Sequence, residues 1–212
     1  MKASFFLLSI VIISLGSCSS LKITHSWESP TAQQNEYKKI IVVGLIKDND
    51  HELREKMENH LAGDLTDLGY NAVSSLALFG PKSFEGMKED EAVAKLQSGG
   101  ADALITIVLL DKEKERKYIP ARVINTPYNI HQRSFWRYYS TMSERIYEPG
   151  YYSEQTNYFW ESNLYELKSK ELLYSVQTKS FDSKSAQSLA HAYGKIIVND
   201  MVKHSLLLKK KE

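Results

Sequence analysis

The side chains able to do chemistry in this 212-residue chain are one cysteine, six histidines and a few close-set acids. Asp48, Asp50 and Glu52 alternate like the start of a calcium loop. That geometry also requires a glycine at the sixth position and a bidentate acid at the twelfth, and Leu53 and Asn59 stand there instead. His51 and His60 lie nine apart, and His25, His131, His191 and His204 have no second ligand three or four residues away, so no zinc motif is present. The Ser19-x-x-Lys22 pair, a nucleophile spacing, lies in a polar stretch with nothing folded around it to activate the serine. The loop Lys47-Asp48-Asn49-Asp50-His51 has no glycine to bring backbone amides against a phosphate, which excludes dinucleotide and P-loop readings. The sequence therefore offers no catalytic, cofactor-binding or metal-ligating set, and no cofactor is expected.

Cys18 is the exception, and its surroundings explain it. Met1-Lys2, the apolar run Phe5 to Leu15 and the small pair Gly16-Ser17 form the three parts of an export signal, with an apolar core too short to span a bilayer. Leu15-Gly16-Ser17-Cys18 resembles the lipobox of bacterial lipoproteins. The resemblance implies cleavage before Cys18, a diacylglyceryl thioether on its sulfur and a third, palmitate-type chain on the new N-terminus. Two or more such chains suffice for stable anchoring. A lone cysteine in an exported chain, which can form no internal disulfide, is thereby accounted for. Ser19, rather than Asp, after the cysteine implies by the same resemblance an outer-membrane location facing the periplasm.

Removing residues 1–17 takes away one charge, Lys2, and turns 27 Lys+Arg against 26 Asp+Glu into a balance of 26 and 26. A neutral chain lacks the basic face that nucleic acid binding needs. Lys209-Lys210-Lys211 reads as a short solvated tail. No second apolar run reaches membrane length, so the membrane is expected as a partner only through the lipid.

The elements that position these residues read as α/β. Ser19 to Asn35 suggests a tether with at most one short strand around Ile23 to Trp27; as a coil its sixteen or so residues would span roughly 20 Å. Ile40 to Ile46 is a strand covered on both faces. Leu53, Met57, Leu61, Leu65 and Leu68 then recur at helical spacing, and Gly69 ends the helix. Tyr70 to Leu78 reads as a second strand, Lys88 to Gln97 as a short helix, and Ala103 to Leu110 as a third buried strand. Two strand–helix–strand units imply right-handed crossovers and a parallel core. Asn163–Leu167 and Leu172–Thr178 form an antiparallel hairpin, and Ala186 to Val202 is a closing amphipathic helix. The expected division is a signal peptide over 1–17, a lipidated tether over 18–36, one α/β domain over 37–208 and a basic tail over 209–212.

An aromatic insertion over about 118–160 interrupts that domain: ten of the thirteen tyrosines fall between Tyr118 and Tyr174. Trp136, Tyr138, Tyr139, Tyr151 and Tyr152 are the candidate partner-binding residues, since such rings stack on sugars or fill protein grooves. The alternative is a second small core over one face of the sheet. The run Asp111 to Lys117 reads as a solvated strand extension or a turn.

Ser98-Gly99-Gly100-Ala101-Asp102-Ala103, Tyr147-Glu148-Pro149-Gly150-Tyr151-Tyr152 and Asn163-Leu164-Tyr165-Glu166 resemble a group of uncharacterised bacterial lipoproteins of the DUF4136 type. More distantly, the element order resembles the lipoprotein α/β domains of the TolB N-terminus, curli secretion and the penicillin-binding-protein activators. The DUF4136-type group has no assigned reaction to carry over. The anchor and the aromatic segment together lead to the expectation of a non-enzymatic binding or assembly module that uses those rings to contact an envelope protein or glycan. A hydrolase of envelope material and a purely structural lipoprotein stay open beside it.

Overall fold

The computed structural model describes residues 21–32, 36–47, 50–120, 150–181 and 185–208. Six strands form one sheet: β1 Leu21–Glu28, β2 Ile40–Leu45, β3 Ala72–Ser74, β4 Ala103–Ile119, β5 Tyr151–Glu166 and β6 Leu172–Phe181. Among the described residues four helices accompany it: α1 His51–Asp67, α2 Ser75–Phe79, α3 Glu89–Ser98 and α4 Ala186–Lys203. The order across the sheet is β1-β6-β5-β4-β2-β3. β2 pairs parallel with β3 and β4, while β4, β5, β6 and β1 pair antiparallel in turn.

The chain steps from β2 outward to β3, then back past β2 to β4. Right-handed crossovers in opposite directions place their helices on opposite faces. Alternate residues of β2 accordingly serve two cores. Ile40 and Val42 join the main core with Met57, Leu61 and Leu65 of α1 and Tyr193 and Ile197 of α4, whereas Ile41 and Val43 pack with Leu96 of α3. The β-branched run is thus explained by burial on both sides. α1 and α4 lie close together because Gly194 has no side chain; a Cβ there would overlap the Asp64 carboxylate.

The α/β architecture, its parallel centre, the antiparallel hairpin and the closing helix agree with the sequence reading. Three boundaries differ. β1 is a full edge strand, beginning at the 2 % exposed Leu21, so a segment read as tether is part of the sheet. The second strand stops at Ser74, whose hydroxyl caps α2 by accepting from Ala77 N, so Ser75 to Leu78 are helical. The third strand continues through Asp111–Lys117 to Ile119, because β5 supplies a partner from Tyr151 onward. Tyr118, Ile119 and Tyr151 to Trp160, read as part of an insertion, therefore lie in paired strands.

Candidate functional site

Open parallel sheets bind ligands beyond the carboxyl ends of their strands, where successive crossovers leave on opposite faces. Here that place lies between the ends of β2 and β3, and the chain fills it with its own carboxylate. Glu58 of α1 is 0 % exposed and reaches back to both strands. It accepts from Gly44 N at 2.8 Å, Ser74 Oγ at 2.7 Å and Leu76 N at 2.9 Å. Ser75 Oγ approaches both carboxylate oxygens, at 3.2 and 3.1 Å, and Arg54 Nε closes an ion pair at 3.0 Å. Arg54 also donates through Nη1 to Pro81 O at 3.1 Å. Five donor groups leave this carboxylate satisfied and out of reach of a substrate, so it holds α1, β2, β3 and α2 together. Gly44 makes room for it: a Cβ there would meet Arg54 Cγ at 3.0 Å and Glu58 Oε1 at 3.1 Å.

Beside this network, on the α3 face, is an open pocket of about 740 Å³. Its floor is Val43, Leu45, Leu104 and Thr106 of the sheet; α3 contributes Ala92 and Leu96, and the α2–α3 connection Pro81, Phe84 and Glu85. Arg54 and Lys47 stand at its wall. Thr106 is 8 % exposed, and its hydroxyl has no hydrogen-bond partner among the described residues. Apolar walls with a few polar groups at fixed positions are what small apolar ligands and side-chain anchors require.

A second region is the ribbon formed where β4 and β5 outrun the rest of the sheet. A bulge between Leu109 and Asp111 resets its alternation. Lys112, Lys114, Arg116 and Tyr118 then share the face of Tyr158, Thr156, Glu154 and Tyr152, while Asp111, Glu113, Glu115 and Lys117 take the other. The contacts follow these faces. Lys112 Nζ lies 5.3 Å from the Tyr158 ring, Arg116 Nε 3.0 Å from Glu154 Oε1, and the Tyr118 and Tyr152 rings are 5.1 Å apart.

Of the candidate binding residues, Tyr151 and Tyr152 lie at the ribbon's end, 62 % and 64 % exposed. Trp136, Tyr138, Tyr139 and the lipidation residue Cys18 lie outside the described residues. Other rings of the aromatic-rich segment are interior: Trp160 is fully buried and donates weakly to Ser180 Oγ at 3.4 Å. Asp50 pairs with Lys112 at 3.5 Å and Glu52 with Lys56 at 3.6 Å, so both serve ordinary ion pairs. His60 and His191, scattered in sequence, meet edge to face across α1 and α4 at 5.7 Å. Beside them burial raises the carboxyl of Asp64, against the pull of both histidines. Burial also pushes the phenols of Tyr193 and Tyr174 well above their ordinary range; Tyr193 shares a 2.7 Å hydrogen bond with Ser162, and Tyr174 donates to Asp200.

Arg54, Glu58, Ser74, Ser75 and the pocket were not found from sequence. The available signal was a glycine inside a β-branched run followed by Arg-x-x-x-Glu beside the apolar stripe of a helix.

No family model matches the chain and no curated protein matches it, so the DUF4136-type resemblance gains no support there. Solved structures with a similar outline include a PelC dodecamer from Paraburkholderia phytofirmans, at 10 % identity and a TM-score of 0.45, covering 90 % of this chain and 99 % of that one. Lipoprotein GNA1162 from Neisseria meningitidis aligns at 14 % identity and a TM-score of 0.43, covering 78 % of this chain and 98 % of that one. A PDZ domain protein from Parabacteroides distasonis aligns at 11 % identity and a TM-score of 0.39, over 84 % of this chain and 34 % of that one. At these scores the likeness carries no assignment.

Proposed function

We propose that this chain is a lipoprotein of the cell envelope, anchored through Cys18 to the periplasmic side of the outer membrane, and that its domain is a non-enzymatic binding module. The pocket at the β2–β4 floor carries the second half of this reading. Its walls are mainly aliphatic and aromatic, and the one buried carboxylate nearby is saturated by its own chain. Such a site takes up apolar surface and orients it by a few polar contacts; it supplies no nucleophile with an adjacent base. The occupant that fits is an apolar side-chain cluster presented by an envelope protein, with Lys47 and Arg54 at the wall fixing its approach. The lipobox-like Leu15-Gly16-Ser17-Cys18 supports the anchor, and among the described residues no helix is long and apolar enough to cross a membrane.

Photo-crosslinkers placed at Leu45 and Phe84 in cells test the pocket. They should capture one envelope protein, and Ala92→Trp, which fills the space, should abolish capture while the fold persists. Undiminished capture by a folded Ala92→Trp protein excludes the pocket as the binding site. Cys18→Ala should move the chain out of the membrane fraction; continued tight membrane association overturns the anchor.

A further inference from the structure

We infer that the β4–β5 ribbon lies against the phospholipid surface that holds Cys18, with its basic, tyrosine-bearing face toward the headgroups; this rests on the anchor proposed above. Sheet register places the two at the same end of the molecule. Leu21 of β1 pairs with Ser180 of β6, Ser180 with Tyr158 of β5, and Tyr158 with Lys112 of β4, so these four residues form one row. Beyond that row β6 adds only Phe181, whereas β4 and β5 add seven more pairs, from Glu113↔Asn157 to Ile119↔Tyr151. At about 3.3 Å per residue the ribbon reaches roughly 23 Å past the row.

β1 begins in that same row, with its N-terminal end turned toward the ribbon's end of the sheet. Only Ser19 and Ser20 separate Cys18 from Leu21. Three residue steps span at most about 10 Å, so the acylated sulfur cannot be carried beyond the ribbon's end. A bilayer that receives the acyl chains therefore lies within reach of the ribbon.

The ribbon's chemistry suits that contact on one face. Lys114 and Arg116 alternate with Tyr118, and Tyr152 stands opposite it, 53 % and 64 % exposed respectively. Tyrosine rings favour the headgroup level, and long basic side chains reach phosphates while their stems lie on apolar matter. Glu113 and Glu115 point to the opposite face, where they stay in water. From Asp111 to Arg116 adjacent residues of β4 thus sort by charge across its two faces, while Lys117 joins the acidic face and Glu154 of β5 the basic one.

The test uses the full-length acylated protein reconstituted in phosphatidylethanolamine–phosphatidylglycerol vesicles. With Cys18 blocked by its lipid, single thiols introduced by Tyr152→Cys, Lys114→Cys, Glu115→Cys and Lys168→Cys carry a nitroxide. Position 168, in the turn before β6, is the aqueous reference. The ratio of oxygen to nickel-complex accessibility should be several-fold higher at 152 and 114 than at 115 and 168. Charge reversal by Lys114→Glu with Arg116→Glu should return the label at 152 to the reference value while the lipid mass is unchanged. A lipid mass present with 152 and 168 reading alike overturns this inference alone. A chain that carries no lipid mass overturns the anchor and, with it, this inference.

Discussion

The two halves of the sheet treat polar groups in opposite ways. In the parallel half, β2 and β3 are covered on both faces, and the carboxylate of Glu58 is admitted only with five donor groups around it. In the ribbon, acids and bases alternate along β4 with their side chains exposed on both faces, and an ion pair such as Arg116–Glu154 leaves both side chains more than half exposed. The same residue types are therefore structural in one region and available to a partner in the other. What separates them is desolvation: a buried charge must be fully paired, whereas an exposed pair contributes little to stability.

Removing the buried acceptor is the strongest way to break this contrast. Glu58→Ala leaves Arg54 and four other donors facing an empty crevice and should cost about 3–5 kcal/mol in denaturant unfolding. Gly44→Ala should cost about 1–3 kcal/mol, since its methyl would press on Arg54 and Glu58 within a packed interior. High pH probes the main core. Tyr193 and Tyr174 hold their protons in the folded state past the ordinary value of 10.0, while the unfolded chain releases them there. Their contribution to stability should then be constant below about pH 10 and be lost as pH rises above it, because the unfolded state binds fewer protons. Tyr193→Phe should flatten part of that slope in pH-dependent melts, at a neutral-pH cost of about 1 kcal/mol for the hydrogen bond to Ser162. The smallest effect belongs to the ribbon: Arg116→Ala should change unfolding free energy by no more than about 0.5 kcal/mol. A ribbon variant as costly as Glu58→Ala would erase the distinction between the halves.

Much of the fold was legible because periodicity reports burial directly. The unbroken run at Ile40–Val43 and the stripe Met57, Leu61, Leu65 needed only their spacing, and both lie in the main core or across the sheet from it. Boundaries were less legible where a partner far along the chain decides them. Asp111–Lys117 has the period of a strand yet no apolar face, so its extension depends on β5 arriving to pair with it. Tyr70 to Leu78 looks uniformly extended, but Glu58 and the Ser74 cap turn it into a helix after three strand residues. The pocket was illegible for the same reason: its floor joins Val43 and Leu45 to Leu104 and Thr106, which only sheet order makes neighbours. Of the five aromatic residues singled out, the described residues contain Tyr151 and Tyr152, both outward-facing.

The seam between β1 and β6 has a mechanical meaning if Cys18 is the attachment. A pull on the anchor enters the sheet at the first residue of β1, and β1 runs antiparallel to β6 from Leu21↔Ser180 to Glu28↔Tyr174. The component of that pull along the strand loads the whole ladder in shear at once instead of peeling its hydrogen bonds one after another. An edge strand, ordinarily the easiest part of a sheet to strip away, thereby becomes the member that transmits tension between the membrane and the domain.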